Sequence, residues 1–166
     1  MPGAVRASLP LLLLALLLAV ARAHANPHVW VEAVVTFEFE EHRVTGLAFA
    51  WRFDEYYSSH TNRSFDRDGD GTLGTAETEA LRTETFDPLA RFDYYVHVWA
   101  GSGRREGHAI DRFAAKIDED RLVVEFPIPV TPPASPNDGS LIVSLFDPKN
   151  VVDFRFAESD FLLVDG

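Results

Sequence analysis

The chain has 166 residues, no cysteine and a formal net charge of −11. The lack of cysteine excludes a disulfide framework, a cysteine-based zinc site and a thiol nucleophile. The negative charge argues against nucleic acid and anionic membranes as partners, because both repel an acidic surface. With 13 Phe, 3 Trp and 4 Tyr, the chain has enough apolar bulk for the core of one domain.

The N-terminal segment predicts a secretory signal peptide. Arg6 supplies a positive charge, and the apolar run that follows over 9–20 is too short to be a comfortable membrane span. Small residues suit cleavage after position 23 or after position 25. We expect a signal peptide over 1–23 and a mature chain over 24–166 that is periplasmic or secreted, with no membrane insertion after cleavage. An uncleaved membrane anchor is the alternative.

Two β-strands are predicted directly after this leader. Residues 28–39 alternate in polarity and are rich in β-branched and aromatic side chains, as are residues 44–53. The polar stretch 40–42 between them predicts a turn. The two strands are therefore expected to form a hairpin.

Residues 66–77 read DRDGDGTLGTAE and match the twelve-residue EF-hand calcium loop. Carboxylates stand at positions 1, 3, 5 and 12, a glycine stands at the sharp turn of position 6, and an apolar residue stands at position 8. Ca²⁺ takes six to eight oxygens at about 2.3–2.6 Å, and alternating residues around a tight turn aim their oxygens at one centre. The predicted ligands are the carboxylates of Asp66, Asp68, Asp70 and Glu77 and the backbone carbonyl of Thr72. An acidic surface turn without a metal is the alternative.

Helices are expected on both sides of this loop. Asp54 is a predicted N-cap for an entering helix that runs to residue 65. Thr75 is a predicted N-cap for an exiting helix over 75–86, which Pro88 ends. Residues 54–87 are thus predicted to be a helix-loop-helix insertion of the EF-hand type.

β character returns after the insertion. Further strands are predicted over 92–100, 108–117, 121–130, 141–146 and 151–156, the last two forming a hairpin. Short strands with regularly spaced turns are typical of sandwiches. The predicted fold is mainly β: an antiparallel β-sandwich-like single domain with the helical insertion.

Histidines near the mature N-terminus suggest a second kind of metal site. Cleavage after position 23 would expose His24, whose amine and ring can chelate a transition metal together with His28 or His97. The simpler alternative is that His28 starts a strand and His97 is a core histidine. No nucleophile elbow or phosphate-binding glycine loop is present, so we expect no catalytic residues, and a hydrolase is the minor alternative.

Four segments together resemble a known family. They are NPHVWV at 26–31, WRFDEYYS at 51–58, FDYYVHV at 92–98 and FDPKNVVDFRF at 146–156. Their order resembles domain-of-unknown-function family 1007, a family of uncharacterised bacterial periplasmic proteins. The resemblance implies a periplasmic component of a transport system, with an ABC transporter or a nickel/cobalt-type metal permease as its partner. It carries over no catalytic residues.

These patterns predict an exported calcium-binding, non-catalytic accessory protein that works in metal handling or transport at the cell envelope. Ca²⁺ is the expected cofactor, in a structural more than a regulatory role, because sensor EF-hands work in pairs that expose a groove. The alternative is a protein that binds nickel, cobalt, copper or zinc and feeds a permease.

Overall fold

The computed structural model describes residues 28–101, 103–105, 108–135, 137 and 139–165. The predicted signal peptide and His24 lie outside the described residues. The elements are β1 (Val29–Glu40), β2 (Arg43–Phe53), α1 (Glu55–Phe65), α2 (Thr75–Leu81), a π-helical turn (Arg82–Phe86), a 3₁₀ segment (Asp87–Tyr95), β3 (Val96–Ala100), β4 (Gly103–Arg105), β5 (Ala114–Asp118), β6 (Arg121–Ala134), β7 (Leu141–Leu145), β8 (Val152–Phe156) and β9 (Leu162–Asp165). The predicted class, a mainly β, sandwich-like domain, is confirmed.

The larger sheet has the strand order β5-β6-β2-β1-β8, and β9 also pairs with β1. The predicted β1–β2 hairpin is confirmed, with Val35 opposite Phe49. Strands β8 and β9 run parallel to β1, although antiparallel pairing was expected. A parallel pair needs a long connection, and most of the chain lies between β1 and β8.

The smaller sheet has the order β4-β3-β7, so the predicted hairpin of residues 141–146 and 151–156 is wrong. Strand β7 pairs with β3, whereas β8 joins the larger sheet. The buried Asp147 explains the change of sheet. Its carboxylate accepts the N–H groups of Lys149 at 2.8 Å, Val151 at 2.9 Å and Val152 at 3.2 Å, which fixes a turn between the two strands.

The strand predicted over 92–100 is regular only from Val96 onward. The three preceding residues, Asp93, Tyr94 and Tyr95, have φ values of +51°, +51° and +56°, which a strand does not allow. The Tyr94 ring stacks on Phe86 with centroids 5.0 Å apart, so burial of aromatic rings accompanies the unusual backbone. The strand predicted over 108–117 is likewise shorter and begins at Ala114.

The core lies on the inner face of the larger sheet, where alternating residues of β2 and β6 are buried. Trp51 is at its centre: its ring is 4.8 Å from Phe126 and 5.0 Å from Phe154. Helix α1 lies against this sheet through Ser58, which is fully buried. The Ser58 hydroxyl donates to the Phe53 carbonyl and accepts the N–H of Leu122 in β6 at 2.9 Å. Within the described part of the chain, every helix falls short of the length and apolar character needed to cross a bilayer.

Truncation of the sheet core provides a test of this packing. Leu47 has no exposed surface, so Leu47→Ala should lower the free energy of unfolding by about 2–5 kcal/mol. Leu162→Ala removes the same atoms from a side chain that is 53% exposed and should change it by about 0.5 kcal/mol or less. Urea denaturation of both variants checks the difference, and equal losses would contradict the assigned core.

Candidate metal centre

The position of α1 is set by the residue that precedes it. Asp54 directly follows β2 and accepts the Tyr57 N–H at 2.9 Å, which confirms the predicted N-cap. Its second carboxylate oxygen accepts the N–H of Trp30 in β1 at 2.9 Å, and its own N–H donates to the Trp30 carbonyl. The first turn of α1 is therefore fixed to two strands, and the acidic loop begins where α1 ends.

The acidic loop brings three carboxylates together. One oxygen from each of Asp66, Asp68 and Asp70 lies within 4.8 Å of the others. Backbone amides of the loop hold them: Gly69 and Gly71 donate to Asp66 at 2.9 and 3.1 Å, and the Asp70 N–H donates to Asp68 at 3.2 Å. Asp66 is partly buried and the other two are exposed, so the group is open to solvent on one side.

Asp70 is held in its charged form by its neighbour in the loop. One of its carboxylate oxygens accepts both the hydroxyl of Thr72, at 2.7 Å, and the Thr72 N–H, at 2.8 Å. The side-chain hydrogen bond is the larger cause, and together the two bonds lower the pKa of Asp70 below its ordinary value. At neutral pH this carboxylate is therefore an anion that accepts hydrogen bonds and donates none. A ligand of a hard cation must be in this charged form.

Glu77 is not one of the three converging carboxylates. Its Oε1 accepts the N–H of Arg67 at 2.6 Å and its Oε2 accepts the N–H of Gly74 at 2.9 Å, so it joins the two ends of the loop. These bonds lower the pKa of Glu77 below its ordinary value. The hydrogen bond from the Gly74 amide is the main cause, and the one from the Arg67 amide is the second. The N-cap of α2 is thus Gly74, one residue before the predicted Thr75, and the spacing to Glu77 is that of a capping box.

Two glycines allow the loop to turn as it does. Gly69 and Gly71 have φ values of +73° and +81°, in the left-handed region where a side chain adds strain. Leu73, the apolar residue at position 8 of the loop, is partly buried and packs against the core. The sequence pattern located Gly71 and Leu73 but not Gly69, and the hydrogen bonds that the Arg67 and Gly74 amides donate to Glu77 had no signal beyond the capping-box spacing.

Two of the three histidines proposed for a transition metal, His28 and His97, lie in the described part of the chain. His28 is exposed at the start of β1, and its N–H donates to the Val151 carbonyl at 2.9 Å. His97 is buried in β3. Among the described residues, only the three aspartates form a group of three or more close ligand atoms. The assignment of His24, His28 and His97 stays a prediction.

Both ring nitrogens of His97 already have partners. Its Nδ1 lies 2.9 Å from a terminal nitrogen of Arg104, which can only donate, so Nδ1 is the acceptor. Its Nε2 lies 3.3 Å from the Phe146 carbonyl oxygen, which can only accept, so Nε2 carries the proton. A metal at either nitrogen would therefore have to displace one of these bonds.

The structure thus defines a mainly β domain that carries an acidic, helix-flanked loop. A family model described as "Protein of unknown function (DUF1007)" matches residues 11–164, and the chain belongs to this family. Searches among curated proteins and among solved structures gave no match. The family confirms the resemblance seen in the sequence and assigns no activity.

The left-handed turn at Gly71 can be tested by a pair of variants. The Cβ of Gly71→Ala meets nothing within 4 Å, so its cost comes from the φ of +81° alone. We expect a loss of about 1–2 kcal/mol in the free energy of unfolding. Gly103→Ala, at a φ outside the left-handed region, has the flexible end of the Arg105 side chain as its nearest neighbour, 3.3 Å away, and should change it by about 0.5 kcal/mol or less. Chemical denaturation in a calcium chelator measures both, and an unaffected Gly71→Ala would contradict the turn.

The free energy of unfolding at acid pH tests the hydrogen bonds that the Glu77 carboxylate accepts from backbone amides. Its pKa in the folded chain lies below the ordinary 4.5, so its contribution is present above that pH and is lost as the pH falls through the folded-state pKa. Glu77→Gln cannot titrate and should flatten the decline of the unfolding free energy below pH 4.5. Glu158→Gln, at an exposed position outside the loop, is the control. A wild-type slope in Glu77→Gln measured with chelator would rule out the bonds to Arg67 and Gly74.

Proposed function

We propose that the chain is a calcium-binding protein and that the loop over 66–77 holds the ion. The observation that carries this proposal is that ligand oxygens of Asp66, Asp68 and Asp70 lie within 4.8 Å of one another. Hydrogen bonds from backbone amides of the loop hold the Asp66 carboxylate in this group. Three neighbouring carboxylates repel one another at neutral pH, and a divalent cation between them removes that repulsion. An all-oxygen group without nitrogen or sulfur suits a hard cation such as Ca²⁺.

The remaining ligands follow the spacing of the loop. Thr72 would supply its backbone carbonyl and Glu77 both carboxylate oxygens. For Glu77 this means exchanging its hydrogen bonds to Arg67 and Gly74 for the cation. Part of the binding free energy is therefore used to break these bonds, whereas Asp66, Asp68 and Asp70 already lie together.

The role that we propose for calcium is structural. Both flanking helices are already docked on the domain: Phe65 at the end of α1 is 8% exposed and Leu81 at the end of α2 is 1% exposed. Ser58 further ties α1 to β6 through the Leu122 N–H. A sensor needs a helix pair that opens to expose an apolar groove. Here the ion would hold together a loop whose helices are fixed elsewhere.

The wider role that we propose is that of an exported, non-catalytic accessory protein in metal handling or transport at the cell envelope. Its support is the signal-peptide pattern, the acidic chain and the resemblance to periplasmic transport components, with a permease or ABC transporter as partner. Elemental analysis of protein purified from its native compartment tests this. Calcium near one equivalent is expected, whereas stoichiometric nickel, cobalt, copper or zinc without calcium would favour the transition-metal alternative.

Calorimetry on the mature chain tests calcium binding directly. Titration with CaCl₂ should show one site, and calcium at 100 times the dissociation constant should stabilise the fold by about 2.7 kcal/mol. For a domain of this size that raises the melting temperature by roughly 5–10 °C. Asp66→Ala combined with Glu77→Ala should abolish the binding heat and the rise.

The control is a double variant with the same change in charge. Asp111→Ala combined with Glu158→Ala removes two exposed carboxylates outside the loop and should leave one calcium site. If the wild-type chain gives no binding heat, the proposal fails. If both double variants lose binding equally, net charge and not the loop attracts the ion.

A further inference from the structure

A cavity of about 100 Å³ lies between the inner face of the larger sheet and the helical segments. Its lining is mostly apolar and draws on the sheet, both helices and the 3₁₀ segment. The lining residues from these elements include Trp51, Tyr57, Leu81, Phe86, Tyr95 and Val152. None of the predicted calcium ligands lines it, so it is a separate feature of the domain.

Trp51, one of the lining residues, carries a buried donor without an acceptor in the described part of the chain. The residue is 1% exposed, and its indole Nε1 has no hydrogen-bond partner in the described part of the chain. Buried polar groups are nearly always paired, because an unpaired one has lost its bond to water without a replacement. The Phe126 ring stands perpendicular to the indole at 4.8 Å, and a π face is a weaker acceptor than an oxygen.

Two other polar groups in the lining are already engaged. The Tyr57 hydroxyl has a side-chain hydrogen bond with Thr61, and the Thr85 hydroxyl donates to the Leu81 carbonyl at 2.6 Å. A trapped water needs two to four polar partners. The Trp51 N–H offers one donor in mostly apolar surroundings, which suits a ligand that has one acceptor and an apolar body.

The backbone is unusual where it borders the cavity. Three consecutive residues, Asp93 to Tyr95, have positive φ values, and the last of them lines the cavity. Non-glycine residues in this region are strained, and such strain clusters at binding and active sites. The strain places the Tyr95 ring beside the sheet, where its centroid is 5.8 Å from that of Phe154.

We propose that this cavity binds a small, neutral, mostly apolar molecule with a single hydrogen-bond acceptor, and that the Trp51 N–H donates to that acceptor. An engineered apolar cavity of about 150 Å³ in another protein binds benzene. A cavity of about 100 Å³ therefore suits a ligand no larger than benzene, such as a ketone with a five-membered ring, which has as many non-hydrogen atoms as benzene. The proposal does not depend on calcium binding.

Nuclear magnetic resonance of the ¹⁵N-labelled mature chain tests this assignment, with cyclopentanone as the probe and cyclopentane as the matched molecule without an acceptor. The indole N–H signal of Trp51, identified by its loss in Trp51→Phe, should shift saturably with cyclopentanone. Cyclopentanone gives up a hydrogen bond to water when it enters the cavity and cyclopentane does not, so the ratio of their affinities is compared between the two chains. The ratio should be about tenfold lower in Trp51→Phe than in the wild-type chain, because one hydrogen bond is lost, and this comparison cancels the change in cavity size.

A filled cavity provides the second arm of the experiment. Val152→Phe places a larger side chain in the lining and should weaken cyclopentanone binding by at least about tenfold. Val151→Phe is the control, because Val151 is 41% exposed and lies outside the lining. The spectra of both variants also show whether they are folded.

The proposal is overturned if the Trp51 signal of the wild-type chain does not move when the cyclopentanone concentration is 50 times a dissociation constant of about 1 mM. It is also overturned if Val152→Phe and Val151→Phe bind cyclopentanone equally well, since the ketone would then sit elsewhere. A ratio of cyclopentanone to cyclopentane affinity that is the same in Trp51→Phe and in the wild-type chain would remove the assigned role of the Trp51 donor.

Discussion

The hydrogen bonds of Asp54 are the constraint on which the rest of the insertion depends. One carboxylate oxygen accepts the N–H of Trp30 in β1 and the other accepts the N–H of Tyr57 in α1, both at 2.9 Å. A single side chain therefore ties the start of β1 to the first turn of α1. Because α1 is a stiff rod, its far end, and with it the acidic loop, is placed by this connection and by Ser58.

Local chemistry made the loop and its flanking helices predictable. The N-cap of α1 at Asp54, the glycines at 69 and 71 and the hairpin of β1 and β2 each depend on residues close in sequence. The convergence of Asp66, Asp68 and Asp70 follows from the same local spacing. Cap, turn and ligand patterns are short-range, so a single sequence is enough to locate them.

The errors came from packing and strand pairing that override the local sequence pattern. Aromatic alternation over 92–95 resembles a strand, but burial of Tyr94 against Phe86 goes with a left-handed backbone instead. The turn at Asp147 lies where a hairpin was expected, yet it passes the chain from one sheet to the other because β8 pairs in parallel with β1. Neither the stacking of Tyr94 on Phe86 nor the pairing of β8 with β1 can be read from the local pattern. The unpaired donor of Trp51 is equally invisible in the sequence, where the residue is one more apolar position of a strand.

Helix α2 connects the two proposed sites and limits how calcium can act. Glu77 and Leu81 are four residues apart and so lie on one face of α2. Glu77 joins the ends of the loop, whereas Leu81 is 1% exposed and lines the cavity. A movement of α2 toward the three aspartates would pull Leu81 out of the core and expose its apolar surface. Rotation of the Glu77 side chain avoids that loss, so the buried leucine favours a calcium site that forms by rearranging one side chain on a stationary helix.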